Sequence, residues 1–237
     1  IFIPFEDLKG MVVEMARYKM NALHLHLTDD QAWRIEIKKY PKLTEVGSFR
    51  VGMDDMQMPI SGFYTQEQMK ELVAFAKQYH VDIIPEIEMP GHQVAAIHCY
   101  PELTCGGVQI PIRTTCGVSD NLLCPSNEFT YEFLQNVFKE LSEVFTSQYV
   151  HLGGDEAGNP PLECWSSCES CKKLLGEIMS QPGITPQPNS RNDNWRLQKY
   201  MFDRVIDYLR KDLNKVPMFW YETDFHEIQP GCVVFAW

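Results

Sequence analysis

The chain has 237 residues, 44% hydrophobic and 22% charged, with a formal net charge of -11. That length can bury a sizeable core and suits one α/β domain of ordinary globular composition. The charge argues against nucleic acid and anionic membranes as partners, since both need a basic face, and no apolar run reaches the ~18 residues of a membrane span.

In chain order, Leu8, Met11, Val12 and Met15 recur at helical spacing after Pro4, which suits a helix's first turn. Asn21 to Thr28 reads as a strand that ends at Asp29-Asp30. Thr65-x-x-Gln68 is a capping box that opens a helix to about Tyr79. Val81 to Ile87 is a second strand, closed by Pro90-Gly91. A long irregular region to Pro125 precedes a helix over about 127–145, with Phe133, Val137, Leu141 and Val144 inward. Val150 to Gly153 is a third strand, and 157–194 is a Pro-rich excursion with one short helix near Cys171. Trp195 to Lys211 is helical with Leu197, Met201, Val205 and Leu209 on one face; Val216 to Tyr221 and Cys232 to Trp237 are the last strands.

Alternating strands and helices predict a parallel α/β fold. Polar residues stand at strand end after strand end: Asp29 and Asp30, Glu86 to His92, Asp155 and Glu156, Trp220 to Glu222, Trp237. A (β/α)8 barrel gathers its site on that rim, whereas a doubly wound sheet concentrates it at one switch point. Five strands cannot close such a barrel.

The eight cysteines include Cys105, Cys116 and Cys124 in a Gly/Thr-rich loop and Cys164-x3-Cys168-x2-Cys171 at the approach to a helix. Structural zinc needs four ligands and only three cluster locally, so loop-pinning disulfides or free thiols are expected ahead of metal. Disulfides would imply an oxidising compartment: periplasm, lysosome or outside the cell. No secretory signal is visible at Ile1, which does not look like a natural beginning.

His151-Leu152-Gly153-Gly154-Asp155-Glu156 is the most informative string. Consecutive strand residues point to opposite faces, and a Gly-Gly pair can bend the strand end and turn both carboxylates toward one pocket. There two carboxylates push each other's pKa apart, one staying ionised while the other holds its proton, the equipment for cleaving a glycosidic bond.

Four segments together resemble glycoside hydrolase family 20, the β-N-acetylhexosaminidases. They are Asn21 to Arg34 (NALHLHLTDDQAWR), Ile84 to His92 (IPEIEMPGH), His151 to Glu156, and Trp220-Tyr221-Glu222. The resemblance spans residues 1–237 and implies a single partial catalytic domain, about strands 2 to 6 of a (β/α)8 TIM barrel. The first strand and the last two would then be missing. It implies exo-acting removal of terminal β-linked N-acetylglucosamine or N-acetylgalactosamine, with no cofactor and no metal. The partner is a glycan or glycoconjugate carrying that sugar.

Catalysis in that family is substrate-assisted: the 2-acetamido oxygen attacks its own anomeric carbon and gives an oxazolinium intermediate. By motif, Glu156 is the general acid and later the base, and Asp155 holds the acetamido N–H. Trp220 and Trp237 box the acetamido methyl, and Asp29 supports the sugar. His92 pairs with an acid behind Glu156; the family's usual Asp is Glu88 here, one methylene longer. His151 and Glu222 support the site.

Each motif alone has a blander explanation. His24-x-His26 reads as packing histidines, Asp29-Asp30 as a helix cap, Pro90-Gly91-His92 as a turn, and the tryptophans as core. A metal-dependent barrel hydrolase using His24, His26, His92, His151 and Asp155 is an alternative, but it leaves Gly153 to Glu156 without a role. A non-catalytic sugar-binding homologue is another, although both carboxylates are intact.

Overall fold

The computed structural model describes residues 2–51, 59–115, 117–157, 163–184, 193–221 and 229–236. Helix α1 (Phe5–Arg17) leads into strand β1 (Ala22–His26). Two short antiparallel pairs follow, β2 (Thr28–Asp29) with β3 (Ala32–Trp33) and β4 (Arg50–Val51) with β5 (Pro59–Ile60). Helix α2 (Lys42–Glu45) lies between the pairs. Next come α3 (Gln66–Gln78), β6 (Asp82–Glu86), α4 (Val94–Cys99), α5 (Glu128–Val144) and β7 (Tyr149–His151). The order continues with α6 (Glu163–Ser167), α7 (Glu169–Met179), α8 (Trp195–Lys211), β8 (Val216–Tyr221) and β9 (Val233–Ala236). No described helix is long and apolar enough to cross a membrane.

Local chemistry explains where the elements start and which face they bury. Thr65 accepts from the Gln68 amide at 3.1 Å, and the Gln68 side chain accepts from the Thr65 amide at 2.9 Å, so the expected capping box opens α3. Asn127 caps α5 through the Phe129 amide. Phe133, Val137, Leu141 and Val144 of α5 are buried, as are Leu197, Met201, Val205 and Leu209 of α8. In α1 the buried stripe is narrower than expected. Leu8 and Val12 are buried while Met11 is 41% exposed. Successive helix residues lie about 100° apart, which carries Met11 off Val12's face.

Strands β1-β6-β7-β8-β9 form one parallel sheet whose spatial order is the chain order. A doubly wound sheet reverses its order at a switch point; this one never does. α3, α5 and α8 fill successive crossovers and bury their apolar faces in the same core as the sheet. The arrangement is an arc of a β/α barrel with every strand's carboxyl end on one rim.

Alternation along the strands sorts the two faces. Leu23 and Leu25 enter the helix-covered core, so His24 and His26 face the barrel interior. Phe219 packs edge-on against Phe202 of α8 at 5.2 Å, and its neighbour Trp220 turns inward to His24 and His151.

The seven described cysteines are free thiols. Cys116 lies outside the described residues. The Pro-rich excursion carries two helices, α6 and α7, where the sequence predicts one.

Candidate active site

Strand β7 ends at His151, and the chain then turns through two glycines with φ of +64° at Gly153 and +103° at Gly154. L side chains rarely adopt such angles, and space forbids them here as well. A methyl on Gly153 would overlap the Glu88 carboxylate, and one on Gly154 would come within 2.8 Å of the Phe202 ring. Gln198 of α8 donates to the Gly154 carbonyl at 2.8 Å, and the Trp220 amide donates to Gly153 at 2.9 Å. The bend is therefore held from both sides.

Glu156 follows with φ of +54°, and His92 on the facing loop has the same φ. Lys19, His80 and Asn214 share the left-handed conformation, but each stands just past the end of a helix, where such residues are normal. His92 and Glu156 end no helix. Backbone of this kind costs of order 1–3 kcal/mol and persists where surrounding structure dictates it, commonly at functional sites.

The bend makes the two consecutive carboxylates converge. His92 Nε2 lies 3.3 Å from Glu156 Oε2 and 3.7 Å from Asp155 Oδ2. Its Nδ1 lies 3.3 Å from Asp29 Oδ1. Asp155 is buried, while the Glu156 side chain is 36% exposed, so only the second reaches the open rim.

Glu88 does not stand in ion-pair contact with His92, as the motif led one to expect. Its Oε1 meets His26 Nε2 at 3.3 Å, and its carboxylate fills the space beneath Gly153. The partner at His92 Nδ1 is Asp29. The longer side chain of Glu carries the carboxylate past the ring toward β1.

A second carboxylate, Glu86, anchors the floor. His24 Nε2 lies 2.9 Å and His151 Nδ1 2.8 Å from it, and the Trp220 indole N–H donates to it at 3.0 Å. The family resemblance assigns no role to Glu86, His24 or His26, and the two histidines enter only the metal-dependent alternative. The available signal was the two-residue spacing: 24 and 26, like 86 and 88, fall on one face, and β1 pairs β6 with His26 beside Glu86.

The charges divide sharply. Burial opposes the Glu86 anion, yet the His151 and His24 contacts outweigh it and hold the carboxyl well below its usual range. Burial pushes Glu88 well above its usual range, helped by the negative charges of Glu86 and Asp155. Burial also raises Asp155, against the pull of His92. For His92 burial disfavours the cation, but the hydrogen bond and charge of Asp29 lead the contacts that raise it to about 10. His92 is thus an imidazolium at neutrality.

Asp30 supports from behind. Its Oδ1 accepts from the Val94 amide at 3.2 Å, the first residue of α4. Burial raises its carboxyl to about 6. Glu88 Oε2, His92 Nε2, Asp155 Oδ1 and His151 Nε2 are buried without a well-aligned hydrogen bond. Beside Asp29 a cavity of about 200 Å³ opens between His26, Gln31, Arg34 and Arg50.

Four sets at this rim bring metal-competent atoms within 4.8 Å: His24, Glu86 and His151; His26, Glu86 and Glu88; Asp29, Asp30 and His92; and His92, Asp155 and Glu156. Each contains a histidine already at contact distance from a carboxylate. Trp237 and Glu222 lie outside the described residues.

A family model described as "Glycosyl hydrolase family 20, catalytic domain" matches residues 1–237. The chain belongs to this family. A β-hexosaminidase of Akkermansia muciniphila is 40% identical over 237 residues, covering all of this chain and 45% of that protein. A crystal structure of a β-N-acetylhexosaminidase superposes with a TM-score of 0.88 at 40% identity, covering 100% of this chain and 47% of the other. The family 20 exo-β-N-acetylglucosaminidase of Vibrio harveyi, solved with N-acetylglucosamine, gives 0.82 at 35% identity, covering 100% and 36%. The chain thus spans less than half the length of these relatives. Family 20 catalytic domains are TIM barrels, and the five-stranded arc is part of one.

Two outcomes test the geometry in the full-length protein. Gly153→Ala should cost about 1–3 kcal/mol of unfolding free energy through overpacking. In a Glu88→Ala background the overlap part of that cost should vanish while the cost of the left-handed backbone stays; simple additivity would show that the methyl does not meet Glu88. The second concerns pH. Because the folded His92 lies at about 10 against an ordinary 6.5, its stabilisation is complete below pH 6.5 and is lost as pH rises through about 10. An NMR titration should show His92 protonated at pH 8, with a lower midpoint in Asp29→Asn. A wild-type midpoint near 6.5 would contradict the carboxylate cage.

Proposed function

We propose that the protein containing this chain is an exo-acting β-N-acetylhexosaminidase that removes terminal β-linked N-acetylglucosamine or N-acetylgalactosamine from glycans. The observation that carries the proposal is the convergence of Asp155 and Glu156 on one side of the Gly153-Gly154 bend. Their unequal exposure suits unequal tasks. Glu156, at the open rim, donates its proton to the glycosidic oxygen as the leaving group departs. Buried Asp155 accepts the acetamido N–H, turns the carbonyl oxygen toward the anomeric carbon and balances the positive charge that develops there.

The carbonyl oxygen forms the new bond to that carbon as the glycosidic bond breaks, giving the oxazolinium and a protonated leaving alcohol. Water then attacks the same carbon from the vacated face, Glu156 takes its proton, and the acetamide is restored with the configuration retained. His92 positions both carboxylates from behind, and Asp29 fixes its ring. Trp220, its indole pinned by Glu86, supplies one apolar wall for the acetamido methyl.

We further propose that the chain corresponds to about the second through sixth strands of the catalytic barrel, that the working enzyme sits in a periplasmic, secreted or lysosomal setting, and that it needs no cofactor for this reaction. In the full-length protein, Glu156→Gln should lower kcat on an aryl β-N-acetylglucosaminide by about 10²–10⁴-fold, the usual worth of a general acid-base. Azide, which needs no general base, should partly restore turnover. Near-wild-type turnover by Glu156→Gln would remove Glu156 from this role.

A further inference from the structure

We propose that Cys105, Cys124, Cys168 and Cys171 form a structural zinc site, made of residues distinct from the carboxylate cluster at the rim and separate from the activity proposed above. Sequence spacing shows only the cysteines of 164–171 as a local cluster; the fold brings two more from the preceding loop. The four sulfurs lie within 4.8 Å of one another. Cys171 Sγ is 3.6 Å from both Cys105 Sγ and Cys124 Sγ. A tetrahedral ion with Zn–S bonds of about 2.3 Å separates its sulfurs by about 3.8 Å. A disulfide would need about 2.05 Å. The thiols stand at the spacing of a shared ion, not of a bonded pair.

Both arms are built to hold that geometry. An isolated antiparallel bridge pairs Thr104 with Leu123, one residue before each loop cysteine, and the Cys124 amide donates to Leu103 at 2.7 Å. Thr104 Oγ1 adds a bond to the Leu122 carbonyl at 2.9 Å. On the other arm Cys168 is the N-cap of α7 and Cys171 lies one turn inside, so the two side chains share a face. The positive end of that 11-residue helix favours thiolates. Ser126 Oγ lies 3.3 Å from the sulfurs of both Cys124 and Cys171, placing a hydroxyl donor beside them. Leu122, Trp165 and Leu197 enclose the cluster in a small apolar core.

The four-sulfur donor set is soft and tetrahedral, the chemistry of zinc or an iron–sulfur centre. Closed four-ligand sites are structural, and zinc does no redox work. Cys164 also reaches Cys105 but stands outside the mutual set. An ion here would tie the loop ending at Cys124 to the excursion carrying α6 and α7. The same loop supports the catalytic rim, since the Leu123 amide donates to the Pro90 carbonyl at 2.9 Å, two residues before His92. Trp165 of α6 donates to the Leu123 carbonyl at 3.0 Å.

The test is elemental analysis of the full-length protein purified without chelator. The expected result is one zinc per chain, lost in Cys124→Ser and Cys171→Ser and retained in Cys164→Ser and Cys99→Ser. Should the first two variants fail to fold, an organomercurial titration of wild-type protein with a zinc indicator gives an independent reading. Release of the ion should track modification of the clustered thiols. Iron instead of zinc, disulfides among the four cysteines by peptide mapping, or zinc retained by a soluble Cys171→Ser would each overturn the assignment.

Discussion

Two adjacent carboxylates on a strand diverge unless the backbone is forced out of the extended conformation, and everything at this rim follows from how that force is applied. Gly153 and Gly154 take left-handed φ values that no larger side chain fits, because Glu88 and Phe202 occupy the space where their Cβ atoms would stand. Removal of two Cβ atoms thus does more than permit a turn. It lets the β6 loop and α8 close against the bend, which aims Asp155 and Glu156 at the same imidazole.

Once converged, the acidic groups must share a small volume, and the surroundings separate them electrostatically. Glu86 keeps its charge because two histidines and an indole N–H surround it. Glu88, two residues on and facing the same way, is driven toward its neutral form. The imidazolium of His92 offsets the remainder and is itself sustained by Asp29. Pairs of titratable groups pushed apart in this way are a hallmark of acid–base sites.

Much of this was legible in the residues. Helical periodicity located the buried faces of α5 and α8, and Thr65 with Gln68 marked the start of α3. The repeated polar strand ends pointed to a barrel rim, and the unreversed strand order bears that out. What spacing could not reveal was contact between distant segments. Glu88 was expected at His92 and instead reaches His26, because one added methylene moves a carboxylate further than a motif can register. Cys105 and Cys124 join Cys168 and Cys171 only after a two-residue bridge clamps their loop. The short β2–β5 pairs were invisible, since two-residue strands carry no periodicity.

The central claim is that the converged pair acts on a sugar whose own acetamide displaces the leaving group. Turnover of aryl β-glucosaminides bearing acetyl, monofluoroacetyl, difluoroacetyl and trifluoroacetyl groups on the 2-amine tests it most directly. Fluorine weakens the carbonyl oxygen as a nucleophile while scarcely changing the leaving group. The account predicts a steep, progressive fall in kcat along the series. A flat series would mean that the acetamide is a spectator and that an enzyme group performs the attack.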